Sequence, residues 1–240
     1  LVVLQMSGGL QQLYSSSFSL LVLRGLMLVV ANTCFFLAMV KMPVAEVGAI
    51  FFIAPVLITA LSAILLKESV GLARWLSVAI GMVGVVIMLR PGTEAIRWEG
   101  LLAIGAAFAY CCMQLLTRHM HTTASTATMV AYAQIALLIA SAVMGMLTGR
   151  GQFSDVDHPS LQFLLRSWTL PAESDLALWV LMGSVSAAGT YLVTRGYRLA
   201  SASVIAPFEY VAIPFGVFWG VVIWDEWPDQ MVMIGITLIL

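Results

Sequence analysis

Charge is what this sequence lacks. Only 10% of its 240 residues are Asp, Glu, Lys or Arg, against 61% that are hydrophobic, and the mean hydropathy is +1.01. An aqueous domain carries about 25% charged residues and, at this length, still exposes a large surface. No water-soluble fold hides this much apolar area, whereas a bilayer does. A basic excess is missing too: the formal net charge of −1 excludes a nucleic-acid surface and a polybasic lipid-binding segment. Cysteine is scarce. Cys34, Cys111 and Cys112 lie in apolar stretches without CxxC or Cys/His spacing, so they read as small buried hydrophobes. His119 and His121 make half a metal site at most, with no third ligand converging, so no metal is expected. The sequence has no GxxxxGKS or GxxxxGKT loop for ATP, and nothing in it asks for a cofactor. Catalysis inside a membrane needs a nucleophile–base pair or a metal at depth. Here the histidines fall in loops and a single acid lies at depth, so the chain reads as a non-enzyme.

What is present is a series of long apolar runs. A spanning helix takes about 20 mostly apolar residues, and charged residues border such windows repeatedly. They fall at 19–41, 46–67, 71–89, 99–118, 124–148, 175–195 and 201–224, with an eighth beginning after Pro228-Asp229. Arg90-Pro91-Gly92 closes the third as a helix stop. The runs are apolar on all sides, unlike the alternating strands of a barrel. The fold class expected is an all-α polytopic membrane bundle with about eight spans. Residues 1–5 read as the tail of an earlier span. Leu1 in place of Met, and an end at Leu240 inside an apolar run, read as a chain cut at both ends. The long connection 149–175 holds Asp155, Asp157, His158, Pro159 and Pro171, with a short surface helix expected around Leu161–Trp168.

Alternating loops give two sets of charges. One holds Arg24, Lys67, Arg74, Arg118, Arg195 and Arg198; the other holds Lys41, Arg90, Arg97, Arg150 and Arg166 with most of the acids. The positive-inside rule puts the Arg118, Arg195 and Arg198 side in the cytoplasm. Arg195 and Arg198 read as anchors at that border.

Two segments look alike. The second span runs from Ala45-Glu46-Val47-Gly48 through Ala54-Pro55 to Leu66-Lys67-Glu68, and the seventh from Ala200-Ser201-Ala202-Ser203 through Ala206-Pro207 and Ile213-Pro214 to Trp224-Asp225-Glu226. Each is a proline-containing helix opened by small residues and followed at once by an acid. Spans five apart cross in opposite directions, and an inverted repeat of five helices is a transporter architecture.

These stretches resemble a known family. Met42-Pro43-Val44-Ala45-Glu46-Val47, Lys67-Glu68-Ser69-Val70-Gly71, Gly81-Met82-Val83-Gly84 and Arg90-Pro91-Gly92 resemble the first EamA repeat of the drug/metabolite transporter superfamily. Ala206-Pro207-Phe208-Glu209-Tyr210 and Trp224-Asp225-Glu226-Trp227-Pro228-Asp229 resemble the second. The resemblance implies two five-helix halves, here 1–92 and 98–240, in a bacterial inner membrane. It also implies a secondary carrier that exports or exchanges small metabolites such as amino acids through a central cavity. Its partners are then a small-molecule substrate, the lipid bilayer, protons and a second copy in a homodimer. Uptake of sugars or nucleotide sugars is an alternative, as is a structural membrane partner that transports nothing.

Glu209 is the sharpest site residue. A charge at the centre of a span costs about 2.5–3.5 kcal/mol on insertion scales, so it faces a cavity or a partner. On an α-helix its face carries Ala202, Ala206, Ala212, Gly216 and Gly220, small residues that leave room. It reads as a proton- or cation-linked carboxylate or a clamp for a substrate amine, or alternatively as a protonated packing residue. Pro55, Pro207 and Pro214 read as hinges, since proline in a span frees backbone groups. Asn32, Thr33, Gly183, Ser186, Gly189, Thr190 and Tyr191 can line a polar cavity, as can Tyr110, Gln114 and Thr117 at helical spacing. The resemblance favours Asn32, Tyr191, Glu209 and Tyr210 over Gln114 as substrate-binding residues.

Overall fold

The computed structural model describes residues 17–42, 44–89, 98–153, 159–169, 172–225 and 227–239, and every regular element among them is a helix. Apolar runs without periodicity give helices α1 (Phe18–Met39), α4 (Leu72–Leu89), α5 (Trp98–His119), α6 (Thr126–Thr148) and α8 (Leu176–Leu199). Proline divides the remaining long spans. The second is α2 (Val44–Phe51) and α3 (Ala54–Leu65); the seventh is α9 (Ala202–Ile205), a 3-10 segment (Ala206–Val211) and α10 (Ala212–Trp224). α7 (Pro159–Leu165) lies in the long connection where a short helix was expected, and α11 (Gln230–Ile239) ends the described chain.

Six stretches are long and apolar enough to cross a membrane: Phe18–Met39, Glu46–Leu65, Trp98–His119, Thr126–Thr148, Glu173–Leu199 and Ala202–Ile223. Leu72–Met88 and Gln230–Ile239 are shorter apolar helices. All eight expected windows coincide with these elements. The Arg90-Pro91-Gly92 stop, Arg97, Asp155, Asp157, His158, Pro171, Glu226 and residues 1–5 lie outside the described residues.

The chain divides into two compact units. The first comprises the described residues of Leu1–Val30 and Leu116–Leu199. Its core is Leu21, Met120, Ala124 and Met129, backed by Leu116 and Tyr132. Within it the sequence reading needs one correction. Arg24 is no border charge: it is 1% exposed, six residues into α1. Its Nε donates to Thr117 Oγ1 at 2.7 Å, Nη1 to the Met129 carbonyl at 2.9 Å and Nη2 to Thr194 Oγ1 at 3.0 Å. A buried cation is tolerated only when its donors are met, and these acceptors tie α1 to α5, α6 and α8. Arg198 at the end of α8 donates to Thr126 Oγ1 at 2.8 Å and the His121 carbonyl at 2.9 Å, while Arg118 reaches the Arg198 carbonyl at 3.2 Å. Arg118 and Arg198 belong to the loop set assigned to one side.

The second unit comprises Ala31–Leu115 and Ala200–Leu240. α4 packs lengthwise on α11, and the broken spans pack on each other and on α4. Val85, Met88, Tyr210 and Ile213 form one core; Ala38, Met42, Val47 and Ala103 form another. At one border Lys41 Nζ pairs with Glu99 at 3.3 Å, both from the loops of the other side.

The helices recur along the chain. Phe18 and Leu176, Val44 and Ala202, and Leu72 and Gln230 open helices at one constant separation. Lys67 and Asp225 stand at that separation too, and they are the non-glycine residues with left-handed backbone among the described ones, φ 54° and 57°. Left-handed backbone is unfavourable for a residue with a Cβ, so its appearance after both broken spans marks equivalent turns.

The turn at Lys67 swings Glu68 onto the start of the seventh span. Its carboxylate accepts from the N–H groups of Ala202 at 3.1 Å and Ser203 at 3.3 Å and from Ser203 Oγ at 3.2 Å. A carboxylate over the first N–H groups of a helix satisfies orphan donors and complements the helix dipole. Glu68→Ala is expected to cost about 1–2 kcal/mol, and Glu68→Gln less because one acceptor oxygen remains. Thermal unfolding of the two variants in detergent checks the order; equal and negligible losses would show that the cap is idle.

Candidate carboxylate site in the seventh span

Pro207 and Pro214 explain why the seventh span is no continuous α-helix. Each lacks an N–H and clashes with the carbonyl four residues back, so each begins a new piece, in whose first turn its N–H is not needed. Pro55, after the break at Phe52 and Ile53, does the same in the second span. Between the two seventh-span prolines the chain takes three residues per turn, and side chains at i and i+3 eclipse. The face expected for Glu209 changes accordingly. Ala206, Glu209 and Ala212 share one edge of the segment, while Pro207 and Tyr210, and Phe208 and Val211, take the other two.

On its edge, half-buried Glu209 meets α5. Tyr110 Oη donates to Glu209 Oε1 at 2.9 Å, and Gln114 Nε2, one turn further along α5, donates to Tyr110 Oη at 2.7 Å. Gln114 is 1% exposed, and its Oε1 has no hydrogen-bond partner among the described residues. The Tyr110 ring is set by Phe51, centroids 5.4 Å apart, and Phe51 by Phe35 at 5.1 Å. The result is a carboxylate, a phenol and an amide in series, held by aromatic packing and ending in an open acceptor. The amide oxygen at its end can receive a ligand's N–H donor.

The sequence-expected residues distribute unevenly. Tyr210 follows Glu209 but points elsewhere: it is 1% exposed, its ring lies over Gly81, where a Cβ would collide with it, and near Phe52 at 6.1 Å. Its hydroxyl is buried without a partner among the described residues. Asn32 is half-buried on α1 in the same unit as Glu209; Tyr191, half-buried on α8, belongs to the first unit. Gly183, Ser186 and Gly189 are exposed on α8, and Thr117 serves Arg24. Tyr110 and Gln114, which are not among the residues the resemblance favours, are joined in series to Glu209. The signal that could have raised them is their i, i+4 spacing as hydrogen-bonding side chains on an apolar helix.

Comparison with known proteins agrees with this architecture. The model of the EamA-like transporter family matches residues 1–90. An uncharacterized transporter of Helicobacter pylori (strain J99 / ATCC 700824) is 30% identical over 217 residues, covering 88% of this chain and 67% of that protein. The S-adenosylmethionine uptake transporter of Rickettsia prowazekii (strain Madrid E) is 24% identical over 219 residues, 91% of this chain and 68% of that protein. The riboflavin transporter of Vibrio cholerae is 26% identical over 201 residues; they make up 82% of this chain and 60% of that protein, less than two thirds of its length. A solved crystal structure matches with TM-score 0.79 at 21% identity, over 99% of this chain and 80% of that one, a likeness of fold. The chain is an integral, multi-pass, all-α membrane protein and belongs to the EamA-like transporter family of the drug/metabolite transporter superfamily.

Proposed function

We propose that this chain forms the helical core of a secondary active transporter that exports or exchanges small metabolites, such as amino acids or related compounds, by alternating access in a bacterial inner membrane. Glu209 is its cargo- or proton-linked carboxylate, with Tyr110 and Gln114 as partners. The observation that carries the reading is the carboxylate inside an apolar span, at a helix break, in series with a buried amide oxygen that awaits a donor. Gln114 Oε1 is a buried acceptor without a partner among the described residues, and Glu209 is a carboxylate, so a cargo bearing an ammonium or other N–H donors fits. Residues 1–92 and 98–240 are the two EamA-like repeats, a division supported by the constant separation of their helix starts. The breaks at Pro55, Pro207 and Pro214 are the hinges about which the repeats exchange packings. Asn32 and Tyr191 remain candidate lining residues, and a homodimer is a further proposal.

Uptake is a second reading, favoured by the Rickettsia relative, which is named as an uptake transporter of S-adenosylmethionine. In a gradient-driven carrier the direction follows the gradients.

Counterflow of labelled amino acids, S-adenosylmethionine and riboflavin into liposomes tests the reading. Glu209→Gln is expected to reduce flux at least tenfold, about 1.4 kcal/mol, and Tyr110→Phe several-fold, with both proteins folded. Cargo-specific flux unchanged by Glu209→Gln would demote the acid to packing. No flux of any cargo from folded protein would sink the transport reading.

A further inference from the structure

The edges of the 3-10 segment turned away from Glu209 border a cavity of about 600 Å³ between α4, the segment and α11. We infer that this cavity seats one anionic phospholipid, its phosphate on Arg74 and its acyl chain along the apolar wall. The inference is separate from the transport site and does not depend on it.

The cavity is amphipathic. Its polar groups, Arg74, Ser77 and Ser203, stand in the first turn or two of α4 and of α9, at a span border, while Ile80, Val204, Phe208, Val211 and Leu238 supply an apolar wall. Arg74 is half-buried. Its Nη1 donates to the Ser69 carbonyl at 2.9 Å and to Ser203 Oγ at 3.0 Å, while Nε and Nη2 make no hydrogen bond among the described residues. Nη1 therefore fixes the guanidinium, and the opposite fork stays open. That fork matches two oxygens of a phosphate or carboxylate. Ser77 spends its hydrogen on the Ala73 carbonyl at 2.9 Å. The nearby acid, Glu68, is turned onto the N–H groups of Ala202 and Ser203, which offset its charge.

Exposure selects the ligand. Phe208 is 67% and Ile80 46% exposed, so the rim opens on an exposed apolar surface of a unit built of membrane-spanning helices, where acyl chains are at hand. A cation fixed at the border above an apolar wall orders its groups as a phospholipid does, headgroup outward and chain inward. A cargo amine, which suits the acceptors around Glu209, is repelled by Arg74.

The test is native mass spectrometry of the purified, delipidated chain titrated with phosphatidylglycerol, with phosphatidylcholine of the same acyl chains, and with inorganic phosphate. One phosphatidylglycerol is expected to remain bound at least tenfold more tightly than phosphatidylcholine. Arg74→Gln should abolish that preference. Ile80→Trp, which leaves Arg74 in place and fills the apolar part from a partly exposed position, should weaken binding of the lipid at least tenfold. If Arg74→Gln fails to fold, the wild-type lipid preference and Ile80→Trp decide. Equal retention of the two lipids, or wild-type binding by Ile80→Trp, would overturn the proposal. Phosphate binding as tightly as phosphatidylglycerol would also overturn it, in favour of a free-anion site.

Discussion

Arg24→Leu is expected to lower the melting temperature of the purified protein by roughly 6–12 °C, the consequence of losing about 3 kcal/mol. Two effects of opposite sign compete. An arginine within a span is costly, which taken alone favours its removal. Yet Arg24 lies only six residues into α1, and in a separated helix its long side chain reaches the interface. Most of the insertion cost is therefore relieved in the unfolded reference state and does not oppose folding. The folded state instead gains three charge-assisted hydrogen bonds and a packed stem. Neutral interhelical bonds in membranes average about 0.6 kcal/mol, but hydrogen bonds to a charged group contribute about 1.5–3 kcal/mol each. Leucine also leaves Thr117, Thr194 and the Met129 carbonyl without their donor. Arg24→Lys should recover only part of the loss, because an ammonium lacks the planar fork that reaches three elements. A double-mutant cycle with Thr117→Val isolates one bond, with an expected coupling of about 1.5 kcal/mol. A melting shift of about 1 °C, the size typical of a surface substitution, would return Arg24 to the border role read from sequence.

That misreading shows where sequence legibility ends. Span positions were legible because they depend on composition alone: a charge-free run near 20 residues long has few other outcomes. The helix breaks were legible as well, since Pro55, Pro207 and Pro214 act locally on their own backbones. The conformation between two breaks was not. The six residues of 3-10 helix at Ala206–Val211 put Ala206, Glu209 and Ala212 on one edge and Tyr210 on another, a spacing that an α-helical reading of the span does not give. Pairing across the bundle was beyond reach for the same reason. Tyr110 and Glu209 are 99 residues apart, and periodicity tells which side chains share a helix edge, not which helix that edge meets. Arg24 combines both difficulties. The window 19–41 already puts its guanidinium inside a helix, but its acceptors lie 93 to 170 residues away.

The contact between α4 and α11 yields the other large effect. A Cβ added at Gly84 would stand 2.9 Å from the Gly235 carbonyl oxygen, 2.9 Å from Ile239 Cγ1 and 3.3 Å from Leu238 Cβ. A Cβ added at Gly235 would stand 2.8 Å from the Gly84 carbonyl oxygen and collide with the side chain of Met88. Met88 can move aside; a carbonyl of the facing backbone cannot. Each glycine therefore sets the approach of the other's helix, the arrangement by which small residues let helix backbones pack in membranes. Alanine is the better helix former by about 1 kcal/mol, whereas overpacking costs about 1–3 kcal/mol. The backbone contact decides between them: each Gly→Ala variant is expected to lose about 1–2 kcal/mol net, and Gly84→Leu about 4 kcal/mol. The double alanine variant distinguishes a shared interface from two local clashes. Once one Cβ has separated the helices, the second meets a gap already opened, so the double loss should fall short of the sum by about 0.5–1 kcal/mol. Thermal unfolding of the four proteins in one detergent measures this. Strict additivity would mean that each glycine relieves its own local crowding, and a stabilised Gly84→Ala would mean that helix propensity outweighs the contact and that α4 and α11 pack less closely than 2.9 Å requires.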